Sequence, residues 1–348
     1  MSSIEIGGRR IGPGEPTFVT AEISANHNGS IERAKELITL AKECGADAVK
    51  IQTYTADTIT LDVRDANFSV DGTIWAGTFL HDLYQEAQTP WEWHAELFAH
   101  AKQEQIICFS SPFDSTAIDL LEELNTPAYK IASPELVDIP LIKQAAKTGK
   151  PLIISTGMGT LEEISEAVST VKETGNSQII LLKCTSAYPA TIEEANLNTL
   201  PDMASRFATL VGLSDHTLDE IVSLTAAAKG GCFIEKHFTF SRSEGGPDAA
   251  FSLEPQELRS LVTNLRQMEL SLGEARYGPT KKEEVSLRFR KSVLISKDVK
   301  KGDVLTADNV RVVRPSHGMH PRHYEEVLGK TFMNDYEKGD PLLPECFG

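Results

Sequence analysis

Cysteine is scarce in this chain: there are five in 348 residues. They are scattered as Cys44, Cys108, Cys184, Cys232 and Cys346, an odd number with no CxxC pair, which points to reduced thiols serving as small core residues. No apolar run reaches the roughly 18 residues that a membrane span needs, and MSSIEIGGRRIGPGEP contains no apolar signal core, so neither spanning nor secretion is expected. Positive charge is in deficit, with 34 Lys and Arg against 50 Asp and Glu and a formal charge of −16. That balance argues against a general nucleic-acid or anionic-membrane surface, so any anionic ligand must be caught by a local cluster of donors. There is no nucleophile elbow with a Ser-His-Asp order, no repeat of solenoid period and no low-complexity tract. The glycine-rich STGMGT lacks the spacing of a phosphate-binding loop or a dinucleotide fingerprint, although it suits close backbone approach to an anion. A soluble, cytoplasmic protein that binds neither nucleic acid nor membrane is the expectation.

What is present is alternation. Eight short β-type runs, TFVTAEI, AVKIQT, IICFSS, AYKIAS, PLIIST, IILLKCT, TLVGLSD and CFIEKHF, are separated by helical-period segments such as IERAKELITLAKECGA, TPWEWHAELFAHAKQEQ, LEEISEAVSTVKETG and LDEIVSLTAAAKGG. Eight βα units predict an α/β fold, a (β/α)8 TIM barrel. Each run starts apolar and turns polar at its end. Since barrel strands all finish at one mouth, Glu22, Lys50 and Gln52, Ser110 and Ser111, Lys130 and Ser133, Ser155 and Thr156, Lys183 and Thr185, Ser214 to His216 and Glu235 to His237 are expected to converge there. Past residue 278 the pattern changes to a charged connection and short strands with KGD turns. The division is a barrel domain over 1–280, then a linker and a small β-rich C-terminal domain over 281–348.

His216 and His237 end the seventh and eighth strands, on neighbouring staves of one rim, close enough to share a divalent metal. Asp215 is either a partner of that pair or a helix N-cap for LDEIVSL. Lys50, Lys130 and Lys236 either donate to an anion or form ion pairs with Glu22, Glu135 or Glu235. Ser111, Ser133, Ser155, Ser186 and Ser214 sit where hydroxyls and helix N-termini hold phosphate or carboxylate oxygens, or else cap turns. Trp91 and Trp93 are read as packing residues.

The stretches AEISANHNG, VKIQT, SSPFD, YKIAS, STGMG, KCTSAYP, GLSDHT, IEKHFT and GPDAAFSLEP, in this order, closely resemble the N-acetylneuraminate synthase family of sugar-acid synthases. The tail with VRPSHGMHP is similar to that family's antifreeze-like (SAF) domain. The resemblance implies condensation of phosphoenolpyruvate with an N-acetylated amino sugar, giving a nine-carbon 2-keto sugar acid and phosphate. It also implies a homodimer in which the C-terminal domain of one subunit covers the partner's barrel, and a divalent metal, Mn²⁺ first, with Mg²⁺ or Co²⁺ as alternatives. Matched motif by motif, His216 and His237 would be the metal ligands, and Lys50, Ser111, Lys130, Ser133, Ser155, Ser186 and Ser214 would hold phosphoenolpyruvate. Glu22, Gln52, Glu135, Tyr188 and Asp248 would face the sugar, and Arg314 of the small domain would close the partner's site. Glu135 is preferred over Glu22 as the base that takes a proton from water.

Two departures bear on the sugar. Where makers of N-acetylneuraminate usually carry an asparagine this chain has Ser186, and where they carry a basic or polar residue after GPD it has Ala249, Ala250 and Phe251. A more apolar wall suits a 6-deoxy sugar, and DLYQEAQTPWEWH is similar to the family's pseudaminic acid branch, whose substrate is 2,4-diacetamido-2,4,6-trideoxy-L-altrose. The alternative is a branch making N-acetylneuraminate or legionaminate.

Overall fold

The structure, a computed structural model, describes residues 3–348. The chain divides into two compact units, Met1–Gly273 and Glu274–Gly348. The first opens with an antiparallel hairpin, β1 (Ile4–Ile6) and β2 (Arg9–Ile11). Eight parallel strands then close on themselves: β3 (Phe18–Glu22), β4 (Ala48–Thr53), β5 (Ile107–Pro112), β6 (Tyr129–Ile131), β7 (Leu152–Ser155), β8 (Ile179–Cys184), β9 (Leu210–Asp215) and β10 (Phe233–His237). Their order around the barrel is the order in the chain, with β10 returning to β3. These eight are the runs expected from the sequence.

The helices between them are made locally. In α1 (Ile31–Glu43), Ser30 caps the first turn by accepting from the Arg33 N–H, and Ala34, Leu37, Ile38 and Ala41 form the buried stripe. The longer excursion after β4 holds α2 (Ala56–Ile59) and α3 (Leu80–Ala87), and α4 (His94–Gln103) follows. Asp114 caps α5 (Ser115–Glu123), and Asp138 caps α6 (Ile139–Lys147). A capping box of Thr160 and Glu163 starts α7 (Leu161–Glu173). Three more helices complete the unit: α8 (Thr199–Phe207), α9 (Ile221–Ala228) and the long α10 (Pro255–Leu272).

Strand alternation divides the side chains into two cores. Val19, Val49, Cys108, Tyr129, Ile154, Leu181, Val211 and Ile234 point out to the helices. Phe18, Ala48, Phe109, Ile153, Ile180, Leu182, Leu210 and Phe233 point in, and Ile4, Ile6 and Ile11 of the hairpin join them to plug the N-terminal end. Phe18 stacks on Phe233 at 5.2 Å. The plug makes the barrel a packed core below and leaves room only at the C-terminal mouth. Truncating an inner ring such as Phe109 to Ala is worth about 3–5 kcal/mol of stability. All five cysteines are free and buried. No helix among the described residues is long and apolar enough to cross a membrane.

In the second unit, β11 (Ser292–Ile295) pairs antiparallel with β12 (Val310–Val313). Val293, Ile295, Val299, Leu305, Val310, Val327, Phe332 and Leu342 form its own small core. Arg314 follows β12, exposed.

Candidate active site at the barrel mouth

The alternation that builds the core also sorts the polar strand ends, so convergence is only half of what the sequence suggests. Ser110 points outward, donating to Ile51 O at 3.0 Å and sharing a hydrogen bond with Thr53. Lys183 folds back onto the Cys184 carbonyl. Lys236, considered above as an anion donor, lies outside the barrel wall, paired with Asp215 Oδ2 at 3.1 Å. Asp215 accepts from the Thr217 N–H and from Ser223 Oγ. It is not the cap of α9, whose N-cap position is Glu220.

Above the apolar plug lies a layer of buried charge. Lys50 Nζ is 2.9 Å from Glu22 Oε2 and 3.0 Å from Glu235 Oε1, and Lys130 Nζ is 3.5 Å from Glu235 Oε1. The pairing is forced by register: Glu22 lies opposite Lys50, and Glu235 sits one strand further round, on the inward face of β10. Burial pulls the Lys50 ammonium down to about 7 despite Glu235. Burial works against the charge of Glu235 too, yet Lys130 and Lys50 outweigh it and hold the carboxyl well below the usual range. Ser214 Oγ donates to the same carboxylate at 3.2 Å.

A cavity of about 530 Å³ opens above this layer. Of the residues chosen from sequence, Lys50, Gln52, Lys130, Ser133, Glu135, Ser155, Tyr188, Ser214, His216, His237 and Asp248 line it. Glu22 does not: it is buried behind Gln52, whose Nε2 donates to Glu22 Oε1 at 3.2 Å and to Ser24 Oγ at 3.0 Å. Ser111 and Ser186 stand outside the lining. Ser111 Oγ and Ser155 Oγ are buried without a hydrogen-bond partner, which is the state of a hydroxyl waiting for an acceptor. Arg314 belongs to the other unit.

Gly157 shows why STGMGT needs its glycine. Its N–H donates to Ser133 Oγ at 3.1 Å, and an added Cβ would lie 2.2 Å from Ser186 Oγ and 2.7 Å from Ser133 Oγ. Only a bare backbone brings the turn after β7 so close to the two serines. Glu135 is carried on a short turn, Pro134–Val137, just past β6. Its Oε2 is buried and unpartnered, and burial raises the carboxyl to about 7. Asp248 accepts from Ser24 Oγ and from the Ala25 N–H, and burial raises its carboxyl.

The two histidines meet as expected, with ring centroids 5.3 Å apart. His216 Nδ1 donates to Thr185 O at 2.9 Å, which leaves Nε2 with the free lone pair. His237 Nδ1 is buried without a partner, and burial together with His216, Lys50 and Lys130 keeps that imidazole neutral. Although burial opposes it, Cys184 and the Thr185 carbonyl raise the His216 imidazole above its ordinary value; once His216 gives up that proton, two oriented rings suit a divalent ion. Among the described residues no group of three or more His, Cys, Asp or Glu is arranged around one, so the pair fits an ion whose other ligands are substrate oxygens and water.

Part of the site carries no signature in the sequence. Cys184 lines the cavity with its Sγ 3.9 Å from His216 Nδ1. Burial would raise this thiol, but His216, Ser133 and Lys130 bring it down to about 6. A scattered cysteine gives no such signal until the fold places it. Phe251 faces His237 at 4.8 Å and Tyr188 at 4.9 Å, as an apolar wall should. Ala249, however, is buried elsewhere and Ala250 is exposed, so neither belongs to that wall. Its other members, Tyr54, Val70, Trp75 and Phe113 on loops and Leu83 on α3, sit in stretches with no catalytic pattern. A lone Trp75 in the turn-rich loop DGTIWAGTF is the one hint of it in the sequence. His27 is a buried turn residue that accepts from the Gly29 N–H and packs on Trp93, away from the cavity.

A plugged (β/α)8 barrel that keeps charge, hydroxyls and a histidine pair at its C-terminal mouth defines a barrel enzyme for an anionic substrate. The chain belongs to the NeuB family, which it matches over residues 37–277, and residues 290–348 match the SAF domain. It is 43% identical over 330 residues to the pseudaminic acid synthase of Helicobacter pylori, covering 94% of this chain and 97% of that protein. Identity to the N,N'-diacetyllegionaminic acid synthase of Campylobacter jejuni is 39% over 333 residues, covering 94% and 99%. Among solved structures, the N-acetylneuraminic acid synthetase of Leptospira borgpetersenii superposes with a TM-score of 0.74 at 30% identity, covering 83% of this chain and 96% of that one.

Proposed function

We propose that this chain condenses phosphoenolpyruvate with 2,4-diacetamido-2,4,6-trideoxy-L-altrose and water to give pseudaminate and phosphate. The observation that carries the reading is the two-sided cavity, with buried lysines and hydroxyls on one side and Trp75, Phe251, Val70 and Leu83 on the other. A small trianion suits the first side, and a sugar with three methyl groups suits the second. The order of resemblance supports it as well, 43% to a pseudaminic acid synthase against 39% to a diacetyllegionaminic acid synthase.

C3 of phosphoenolpyruvate attacks the C1 aldehyde carbon of the open-chain sugar, and the aldehyde electron pair moves to its oxygen. The new alkoxide takes up a proton, water adds at the electron-poor C2, and the tetrahedral centre loses its hydroxyl proton as it expels phosphate by C–O cleavage, leaving the 2-keto group. Lys50 and Lys130, with Ser133, Ser155 and Ser214, hold the carboxylate and phosphate and balance their charge throughout. Glu135, poised near neutrality, takes the proton of the attacking water. Gln52, Tyr188 and Asp248 face the sugar. His216 and His237 would hold the divalent ion, Mn²⁺ in this reading, which supplies Lewis-acid polarisation of the aldehyde oxygen.

The enzyme works in the cytoplasm as a homodimer, with Arg314 of one subunit closing the partner's mouth. Val137, Met158, Ile192 and Leu218 on the connections after β6 to β9, with Leu161 and Ile221 at the first positions of α7 and α9, stand exposed. An apolar rim around a polar mouth is what a covering partner would bury. The test is phosphate release from phosphoenolpyruvate with each candidate sugar. Turnover preferring the trideoxy altrose is expected, and preference for N-acetylmannosamine sinks the assignment.

A further inference from the structure

Between α2 and α3 the chain leaves the barrel in a hairpin. The Val70 N–H donates to Thr78 O at 2.8 Å, the Gly77 N–H to Val70 O at 3.0 Å and the Leu80 N–H to Phe68 O at 2.9 Å. Trp75 sits at its tip, and its indole N–H donates to Pro247 O at 2.7 Å, tying the hairpin to the loop after β10. The ring packs on Tyr188 at 5.5 Å and Phe251 at 6.2 Å. Tyr188 in turn lies 4.3 Å from His216, and Phe251 lies 4.8 Å from His237. The indole therefore forms the outer face of an aromatic box built over the histidine pair, within the same cavity as Lys50 and Lys130.

On the reading given under Proposed function, the lysines take the small anion, which leaves the aromatic side to the sugar. We propose that Trp75 is a specificity-determining residue for that sugar. Its indole face packs against the deoxygenated, methyl-bearing face of the substrate. It also disfavours a sugar that carries a hydroxyl or phosphate at C6. The only polar atom of the indole is already committed to the Pro247 carbonyl, and neighbouring Phe251 has none, so a hydroxyl set against these two rings loses its water and finds no partner in either of them.

The experiment compares wild type, Trp75→Ala and Trp75→Phe on the trideoxy altrose and on N-acetylmannosamine, the latter measured as substrate or as competitive inhibitor. Trp75→Ala is expected to lower kcat/KM for the trideoxy sugar about 10- to 200-fold while the KM for phosphoenolpyruvate moves less than about 2-fold. Discrimination between the two sugars should narrow about 10-fold or more, and Trp75→Phe, which keeps an apolar ring, should retain most of it. Discrimination unchanged in Trp75→Ala overturns the inference. Fluorescence gives a reading independent of turnover: adding the trideoxy sugar should perturb emission in wild type and not in Trp75→Phe, where Trp91 and Trp93 remain. A perturbation that survives at full size also overturns it. A wild type that prefers N-acetylmannosamine overturns the proposed function itself, whereas a normal wild-type preference that Trp75→Ala leaves intact overturns this inference alone.

Discussion

Asp215 and Lys236 form a buried ion pair on neighbouring strands, 3.1 Å apart, each immediately preceding one of the two histidines of the site. The pair lies on the outer face of the barrel wall, where Lys236 also donates to the carbonyls of Thr217 and Asp219. Because Asp215 and Lys236 face each other in register across β9 and β10, the pair locks the stagger that places His216 beside His237. Removing one partner strands a buried charge. Lys236→Met is expected to cost about 3–5 kcal/mol of stability, read from urea unfolding. A loss under about 1 kcal/mol would show that the clamp is unimportant.

His237 contributes little to the barrel core, so its role separates cleanly from folding. His237→Ala should keep the wild-type circular dichroism spectrum yet lose Mn²⁺ binding in calorimetry, with turnover down about 100-fold or more. Removing divalent ions from wild type with a chelator should produce the same loss, reversed by adding Mn²⁺ back. Full metal content and unchanged kinetics in the variant would exclude the ligand role.

Glu135 ties activity to stability through pH. Burial raises its carboxyl from 4.5 to about 7, so the folded state holds a proton there that the unfolded chain releases earlier. The favourable neutral state is fully present below about 4.5 and is lost as pH rises through about 7. Glu135→Gln escapes that loss. Its stability should match wild type near pH 4.5 and exceed it at pH 8 by about 3 kcal/mol at most, measured by denaturant titration at both values. The variant should also lose about 10²- to 10⁴-fold in kcat and the acid limb of the pH profile. An acid limb that persists would assign the base elsewhere.

Arg314 tests whether sites are shared between subunits. Arg314→Ala should weaken sugar binding without unfolding the small unit, where it is exposed. Mixed with His237→Ala protein and allowed to exchange, it should recover about a quarter of wild-type activity by random pairing. No recovery would place the arginine in its own chain's site or outside any site.

How far the sequence reaches is clearest in β10, FIEKH. Alternation alone puts Phe233, Glu235 and His237 on one face and Lys236 on the other, and the eight-fold βα rhythm says that this face is the barrel interior. The same local rules mark Lys50, Lys130 and Ser155 as inward residues at the mouth, because the 2-residue period of a strand is a property of the backbone. Ser110, Lys183 and Asp215 carry equally polar side chains at equally terminal positions and face away. Counting polar strand ends without their parity overstates the site.

Contacts between elements distant in the chain follow from the folded arrangement. The pairing of Lys50 with both Glu22 and Glu235 depends on how β3, β4 and β10 are staggered. The approach of Cys184 to His216 depends on the same closure of the barrel. Trp75, 172 residues from Pro247, joins the site because a loop hairpin folds over the mouth, and loop paths follow from many weak contacts with no periodic code. The barrel, its polar mouth and the histidine pair are legible in the chain, since strand period, helix caps and strand order are local or repeated signals. The partner of each charge and the aromatic side of the cavity had to wait for closure in three dimensions, which alone sets those distances.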